Sequence, residues 1–164
     1  MRRPAKPDGP PSLFDRGLRL ILTSVYKILK FSWKIRRPRT LGTHCLAFTP
    51  DRKLILVQHR YAPGWRAPGG GRHQGESAEA AGLRELREEI GLTAHGRVRL
   101  ACELEHVVDY KTDLAALVIV EDAHYRPHRW LLEIERVGEF PVDKLPPDTV
   151  ELTRRWIALV RDRI

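Results

Sequence analysis

The run from Gly70 to Leu92 constrains this chain more than any other part of it. It opens on the flexible stretch Gly69-Gly70-Gly71, a backbone that can turn sharply and approach a ligand closely. Ser77 stands before Ala78-Glu79-Ala80-Ala81 as a helix N-cap, and Gly91 stands where a left-handed C-terminal residue is expected. The segment therefore reads as loop, helix, tight stop. On that helix Glu85, Glu88 and Glu89 fall on one face, with Leu83, Leu86 and Ile90 roughly opposite as a core-facing stripe. Carboxylates this close destabilise a helix unless something neutralises them. Hard divalent cations such as Mg²⁺ take carboxylate oxygens and keep water and substrate phosphates as their other ligands. An acidic helix face with a metal can thus receive a polyphosphate it would otherwise repel. Gly82, inside the helix, carries a propensity penalty that only close packing would explain.

The fixed residues stand at the spacing Gx5Ex7REUxEExGU, with U aliphatic: Gly70, Glu76, Arg84-Glu85-Leu86, Glu88-Glu89 and Gly91-Leu92. This resembles the Nudix box at every fixed position. At ordinary residue usage a chance match in a chain this long is below roughly one in a million. An isolated ExxEE is usually a solvated face laced with ion pairs, but here the glycines, Glu76 and Arg84 arrive at the same spacing. The resemblance implies a hydrolase that cuts diphosphate linkages with Mg²⁺ or Mn²⁺. It implies an α/β/α sandwich with a mixed sheet over residues 40–164. It assigns the metal to Glu85, Glu88, Glu89 and the carbonyl of Gly69. Arg84 would orient the box carboxylates, and Glu76 would brace the loop. Glu85 or Glu88 would be the general base. Some relatives draw the base from a later loop, for which Glu133, Glu135 and Glu139 are candidates.

The substrate implied is a nucleoside diphosphate linked to another moiety, opened by water attack at phosphorus. Two alternatives stand beside it: an RNA 5′-end pyrophosphohydrolase, and a nucleotide-binding domain without turnover. Retention of every box glutamate favours turnover. Subfamily markers are weak. The coenzyme A signature Leu-Leu-Thr-x-Arg is not matched by Leu56-Val57-Gln58-His59-Arg60, no proline-rich run of the NADH type follows the box, and Val107-Val108 stand where the ADP-ribose type often has proline. Tyr110 lies where dinucleoside polyphosphate hydrolases often carry a tyrosine, although a tyrosine at a strand end is more often structural. Tyr61-Ala62-Pro63-Gly64-Trp65 offers Tyr61 or Trp65 for stacking on a base, or as an anchor of the loop in the core. Arg60, Arg66 and Arg72 are candidates to meet phosphates.

The basic balance belongs to one end of the chain. Residues 1–40 hold 11 lysines and arginines against two acidic residues, which leaves 18 against 19 for the rest. The pI of about 9.9 is thus no nucleic-acid footprint of the whole domain. Met1 to Pro11 is proline-rich and basic, a composition expected to stay disordered. From Leu13 to Trp33, Phe14, Leu18, Ile21, Leu22, Val25, Ile28 and Leu29 recur at helical spacing, with Arg16, Arg19, Lys27 and Lys30 off the stripe. The segment is too interrupted by charge for a transmembrane span and lacks a signal peptide's unbroken apolar core. The leading expectation is that its stripe packs on the domain or on a partner subunit, as in a homodimer. The alternative is that it lies on an anionic membrane surface. Residues 1–39 thus stand apart from a domain over 40–164. Cys45 and Cys102 give neither a disulfide framework nor zinc spacing, and read as buried small residues of a cytoplasmic protein.

Beyond Thr40 the chain turns to short strands. Leu41–Thr49 and Leu54–Tyr61 flank the turn signal Pro50-Asp51-Arg52-Lys53 and read as a hairpin. Arg97–Val107, Leu114–Glu121 and Trp130–Val137 read as further strands. Asp148 or Thr149 would cap a last helix carrying Val150, Leu152, Trp156, Leu159 and Val160.

Overall fold

Strands buried on both faces organise this chain. The computed structural model describes residues 13–36, 38–108, 110–127 and 133–163. In order, the elements are α1 (Leu13–Arg36), β1 (Arg39–Ala47), β2 (Leu54–His59), β3 (Ala62–Arg66), β4 (Gly69–Gly71) and α2 (Ala78–Ile90). Then come β5 (Leu92–Ala94), β6 (Val98–Val108), β7 (Lys111–Val120), β8 (His124–Tyr125), β9 (Ile134–Phe140) and α3 (Glu151–Leu159), closed by a 3-10 turn over Arg161–Arg163. The proline-rich start and the first residues of the expected Trp130–Val137 strand lie outside the described residues.

Alternation along three strands feeds two cores. Cys45 and Ala47 of β1, Ile55 and Val57 of β2, and Ala116, Val118 and Val120 of β7 join Leu86 and Ile90 of α2. Their neighbours Leu46, Leu54, Leu56, Leu117 and Ile119 join Trp156 and Ile157 of α3. Because both faces are covered, these strands read as continuous apolar runs. One sheet has the order β4-β1-β7-β6, with β1 and β7 parallel and its other pairs antiparallel. A second, antiparallel sheet has the order β3-β2-β9, and β5 pairs with β8. This is the expected α/β/α arrangement with a mixed sheet.

The expected hairpin of β1 and β2 does not form. The turn is there, with the Arg52 amide donating to the Thr49 carbonyl at 2.8 Å. Only Phe48 and Leu54 bridge across it. Beyond that bridge the strands part, because each finds a longer partner elsewhere: β1 runs beside β7 from Arg39–Thr112 to Ala47–Val120, and β2 runs beside β9. The last helix is capped at Val150, with no side-chain cap, rather than at Asp148 or Thr149. Both residues are drawn into extended pairing instead. Thr149 bridges Trp65, and the Asp148 carboxylate accepts from Gln58 Nε2 at 3.1 Å.

The box helix starts and stops where the residues say. Ser77 Oγ accepts from the Ala80 amide at 3.1 Å, and Gly91 is left-handed at φ 70°. Gly82 has its explanation here. A Cβ at that position would stand 2.8 Å from Cys45 Sγ, so the glycine lets α2 lie close on β1.

Helix α1 does not bury its apolar stripe. Its half-buried side carries Leu22, Tyr26 and Trp33, and Tyr26 packs on Tyr61 with ring centroids 5.0 Å apart. Arg19 Nε donates to the Arg60 carbonyl at 3.2 Å, and the same guanidinium lies 3.6 Å from Glu135. Leu20, Ile21, Val25, Ile28, Leu29, Phe31 and Ile35 are exposed to solvent, with Leu20, Ile28 and Ile35 each 69% exposed. The expectation that the stripe packs on the domain is met only by the half-buried Leu18 and Leu22 and is corrected for Ile21, Val25, Ile28 and Leu29, which are exposed. The aromatic and polar side makes that contact, because Tyr26 and Arg19 find specific partners there.

The Gly82 contact yields a test. Gly82→Ala should gain about 1 kcal/mol of helix propensity but lose more to overpacking, which typically costs about 1–3 kcal/mol. We expect a net fall in thermal stability that Cys45→Ala relieves, read as a favourable coupling energy in a double-mutant cycle of denaturant melts.

Candidate active site

The strand β4 and the start of α2 are tied together around three glycines. Gly69, at φ 153°, holds a backbone conformation that favours glycine, and a Cβ there would collide with the Thr43 carbonyl of β1. At Gly70 a Cβ would sit 2.6 Å from the Glu85 carboxylate, so the missing side chain is the space that carboxylate occupies.

Arg84 closes this loop onto the helix. Its Nε and one terminal nitrogen each lie 3.0 Å from a Glu76 oxygen, a two-pronged pairing of guanidinium and carboxylate. It also donates to the Gly71 carbonyl at 2.7 Å and to Glu85 at 2.6 Å, and it lies 3.6 Å from Glu88. The hydrogen bonds from Arg84, with help from the His73 amide, push the Glu76 carboxyl down to about 2. Glu85 moves the other way: burial raises its pKa first, Arg84 opposes that, and the like charges of Glu89 and Glu88 add to it.

Glu89 departs from the open acidic face read from the helix. It is buried; one oxygen lies 3.2 Å from His59 Nε2, and the other accepts from the Gly69 amide at 3.0 Å. Its place on α2 is three residues after the buried Leu86 and next to the buried Ile90, at the edge where β2 can reach it. Glu88, by contrast, has a side chain 59% exposed. Three carboxylates of graded burial beside a glycine turn, with mutual repulsion that one arginine only partly offsets, suit a hard divalent cation.

The other residues singled out in the sequence divide. Tyr61 lies against the site, its ring 5.0 Å from that of His59, and burial followed by the charges of Glu133 and Glu89 pushes its phenol up. Trp65 is an anchor, packed edge-on to Phe140 at 4.9 Å and bridged to Thr149. Arg60 meets α1 and Glu133 through its backbone. Arg66 donates to the Pro63 carbonyl, and Arg72 pairs with Glu103 at 2.8 Å. Tyr110 sits at the turn between β6 and β7 under the Lys34 ammonium, seven residues before Leu117, the β7 partner of His44. Of the later glutamates, Glu139 accepts from the Tyr125 hydroxyl at 3.0 Å and Glu135 pairs with Arg19.

Two features escape a reading of the sequence. One is His59 as the partner of Glu89. The other is a group of His44, His106 and Asp113, from β1, β6 and β7, with ligating atoms all within 4.8 Å of one another. Each of these three continues, at two-residue steps, the strand face that packs on α3: His44 precedes Leu46, His106 follows Leu104, and Asp113 precedes Leu117. The legible signal is a polar residue at a core-parity position; their convergence depends on sheet register.

A family model described as the NUDIX domain matches residues 38–160. A relative from Bacillus subtilis (strain 168), provisionally named an 8-oxo-dGTP diphosphatase, is 38% identical over 55 residues. That match takes in 34% of this chain and 37% of the relative, little more than a third of the relative's length. Among solved structures, a MutT NUDIX hydrolase from Burkholderia pseudomallei is similar at TM-score 0.63 and 26% identity, over 74% of this chain and 98% of that one. A bifunctional NMN adenylyltransferase/ADP ribose pyrophosphatase from Francisella tularensis, complexed with AMP and a Mn ion, is similar in fold at TM-score 0.62 and 16% identity. It covers 88% of this chain and 48% of that one.

The Arg84–Glu76 pairing makes a pH prediction. With the Glu76 carboxyl at about 2 in the fold against an ordinary 4.5, its stabilising contribution is complete above pH 4.5 and is lost as pH falls through 2. The melting-temperature difference between the native chain and Glu76→Gln should shrink steadily across that window. A difference that stays constant from pH 5 to pH 2 would overturn the linkage.

Proposed function

The chain belongs to the NUDIX hydrolase family, and on that premise we propose that it is a metal-dependent pyrophosphohydrolase acting on a nucleoside diphosphate linked to a second moiety. The observation that carries this reading is the complete carboxylate set gathered on one glycine turn. Arg84 joins Glu76, Glu85 and the Gly71 carbonyl there, and Glu89 is seated on the Gly69 amide. Glu85, Glu88, Glu89 and the Gly69 carbonyl are the groups that would hold Mg²⁺ or Mn²⁺, which when bound supplies charge neutralisation and activates water.

The chain's own residues do the rest. Arg84 keeps Glu76 ionised and holds Glu85 against the turn. Glu85, held against the turn by Arg84, is suited to accept a proton from attacking water; Glu88 is the second candidate. His59 steadies Glu89, and Tyr61 forms the adjoining aromatic wall. The charge distribution favours a small-molecule substrate over an RNA end, since outside residues 1–40 acidic residues slightly outnumber basic ones. The 8-oxo-dGTP in the Bacillus relative's name is itself a nucleoside diphosphate joined to phosphate, so such triphosphates belong in the first panel beside ADP-ribose, dinucleoside polyphosphates and nucleotide sugars.

Glu88 is the informative position, because its exposure makes its substitution benign to the fold. With Mg²⁺ or Mn²⁺, chromatography of the products should show turnover of one panel class, reduced about 100-fold or more in Glu88→Gln at unchanged melting temperature. Undiminished turnover in that variant would remove Glu88 from the site. Turnover of 5′-triphosphorylated RNA alone would establish the RNA-end reading instead.

The exposed face of α1 supports a second proposal, that this helix rests on an anionic membrane surface on the cytoplasmic side. No helix among the described residues is long and apolar enough to cross a membrane. Seven large apolar side chains nevertheless face solvent along α1, and Arg16, Lys27 and Lys34 are exposed on the same helix. A second copy would bring like charge against like charge. Anionic lipid instead adds about 1 kcal/mol per cation near the surface. Sedimentation with phosphatidylglycerol-containing vesicles should retain the chain, and phosphatidylcholine vesicles, high salt or Ile28→Glu should release it. Absence of vesicle binding, with a dimer in sedimentation equilibrium that Ile28→Glu dissociates, would assign the face to self-association.

A further inference from the structure

We propose that His44, His106 and Asp113 form a second metal site, selective for a transition ion of the Zn²⁺ class and distinct from the box carboxylates. Their donor atoms converge within 4.8 Å on the α3 side of the sheet. Two imidazoles with one carboxylate suit Zn²⁺ and its neighbours in the first transition row, whereas Mg²⁺ prefers an all-oxygen shell. The chemistry of the two sites is thus orthogonal.

Four observations make this more than a chance grouping. First, His106 Nε2 and Asp113 Oδ2 are 3.4 Å apart. That is longer than a common N–H···O bond of about 2.7–3.2 Å. It matches the edge of a tetrahedron with metal bonds of about 2.0–2.1 Å, which is about 3.3 Å. Second, His106 and Asp113 are register partners across β6 and β7, so the sheet itself sets these two donors side by side. Third, Asp113 is aimed. Thr40 Oγ1 donates to Oδ1, leaving Oδ2 to face the imidazole, the kind of supporting bond that orients a metal-binding carboxylate. Fourth, room is made for this carboxylate, because a Cβ at Gly42 would stand 2.5 Å from that same Oδ2.

The ring of Trp156 covers the group, 4.1 Å from the His44 ring and 5.8 Å from that of His106. Three protein ligands leave a fourth position for water or an anionic oxygen. The site adjoins the glycine turn, since His44 pairs with Gly69 across β1 and β4.

Co²⁺ is the probe, because a four-coordinate ion shows visible d–d bands. The folded chain is titrated with Co²⁺ in the presence of millimolar Mg²⁺, which occupies carboxylate sites. One equivalent should develop the four-coordinate spectrum and be displaced by Zn²⁺. His44→Gln and His106→Gln should each abolish it, and Thr40→Val should weaken binding about 10–100-fold. Glu88→Gln should leave it intact, so the outcome is independent of turnover. Zn²⁺ should also raise the melting temperature of the native chain but not of His44→Gln, which serves if His106→Gln does not fold. No four-coordinate band in the native chain, or one that survives both histidine variants or disappears in Glu88→Gln, would overturn the assignment.

Discussion

The guanidinium of Arg84 is the interaction on which the arrangement of the box depends. It reaches Glu76 in the loop, the carbonyl of Gly71 in β4 and Glu85 in the helix. Without it the carboxylates of α2 would repel one another and the turn before it would lose its tie to the helix. The planar fork of arginine is what permits contacts in several directions at once; a lysine would supply the charge without that geometry. The glycines are the steric complement of this contact. Gly70 leaves room for the Glu85 carboxylate, and Gly69 presents its amide to Glu89 in a conformation other residues rarely adopt.

Local features were legible in the sequence because local chemistry determines them. Ser77 caps α2, Gly91 ends it, and Leu86 and Ile90 go into the core, all as their side chains dictate. The β1–β2 hairpin was not legible. Its turn residues do turn, but β1 gains more by running beside β7, which lies some seventy residues away in the chain. Pairing at such separation leaves no signature in a short window, and strands buried on both faces lose the simple alternation that would reveal their register. The capping of α3 at Val150 has the same origin, since the preceding residues are committed to Trp65 and Gln58 from β3 and β2.

The candidate site shows the same division. The acidic residues, the arginine and the glycines are contiguous and readable, whereas the histidines depend on the sheet. His59 meets Glu89 only because β2 passes the edge of α2, and His44, His106 and Asp113 meet only because β1, β7 and β6 are neighbours in that order. Polar residues at positions whose parity points into a core are the trace such convergence leaves in a sequence.

Helix α1 tests how much amphipathicity alone can say. Its apolar residues span so much of the circumference that either of two faces satisfies the periodicity. What selects the docked face is not hydrophobic area but particular partners: Tyr26 on Tyr61, and Arg19 on the Arg60 carbonyl and Glu135. Those partners lie next to the box. Tyr61 stacks on His59, and His59 holds Glu89. An unbroken line of contacts therefore runs from the docked side of α1 to a carboxylate of the box. Contact of this kind is not itself energetic coupling. It does mean that the surface α1 occupies and the wall of the site are built from the same side chains, so the position of this helix is part of the shape of the site.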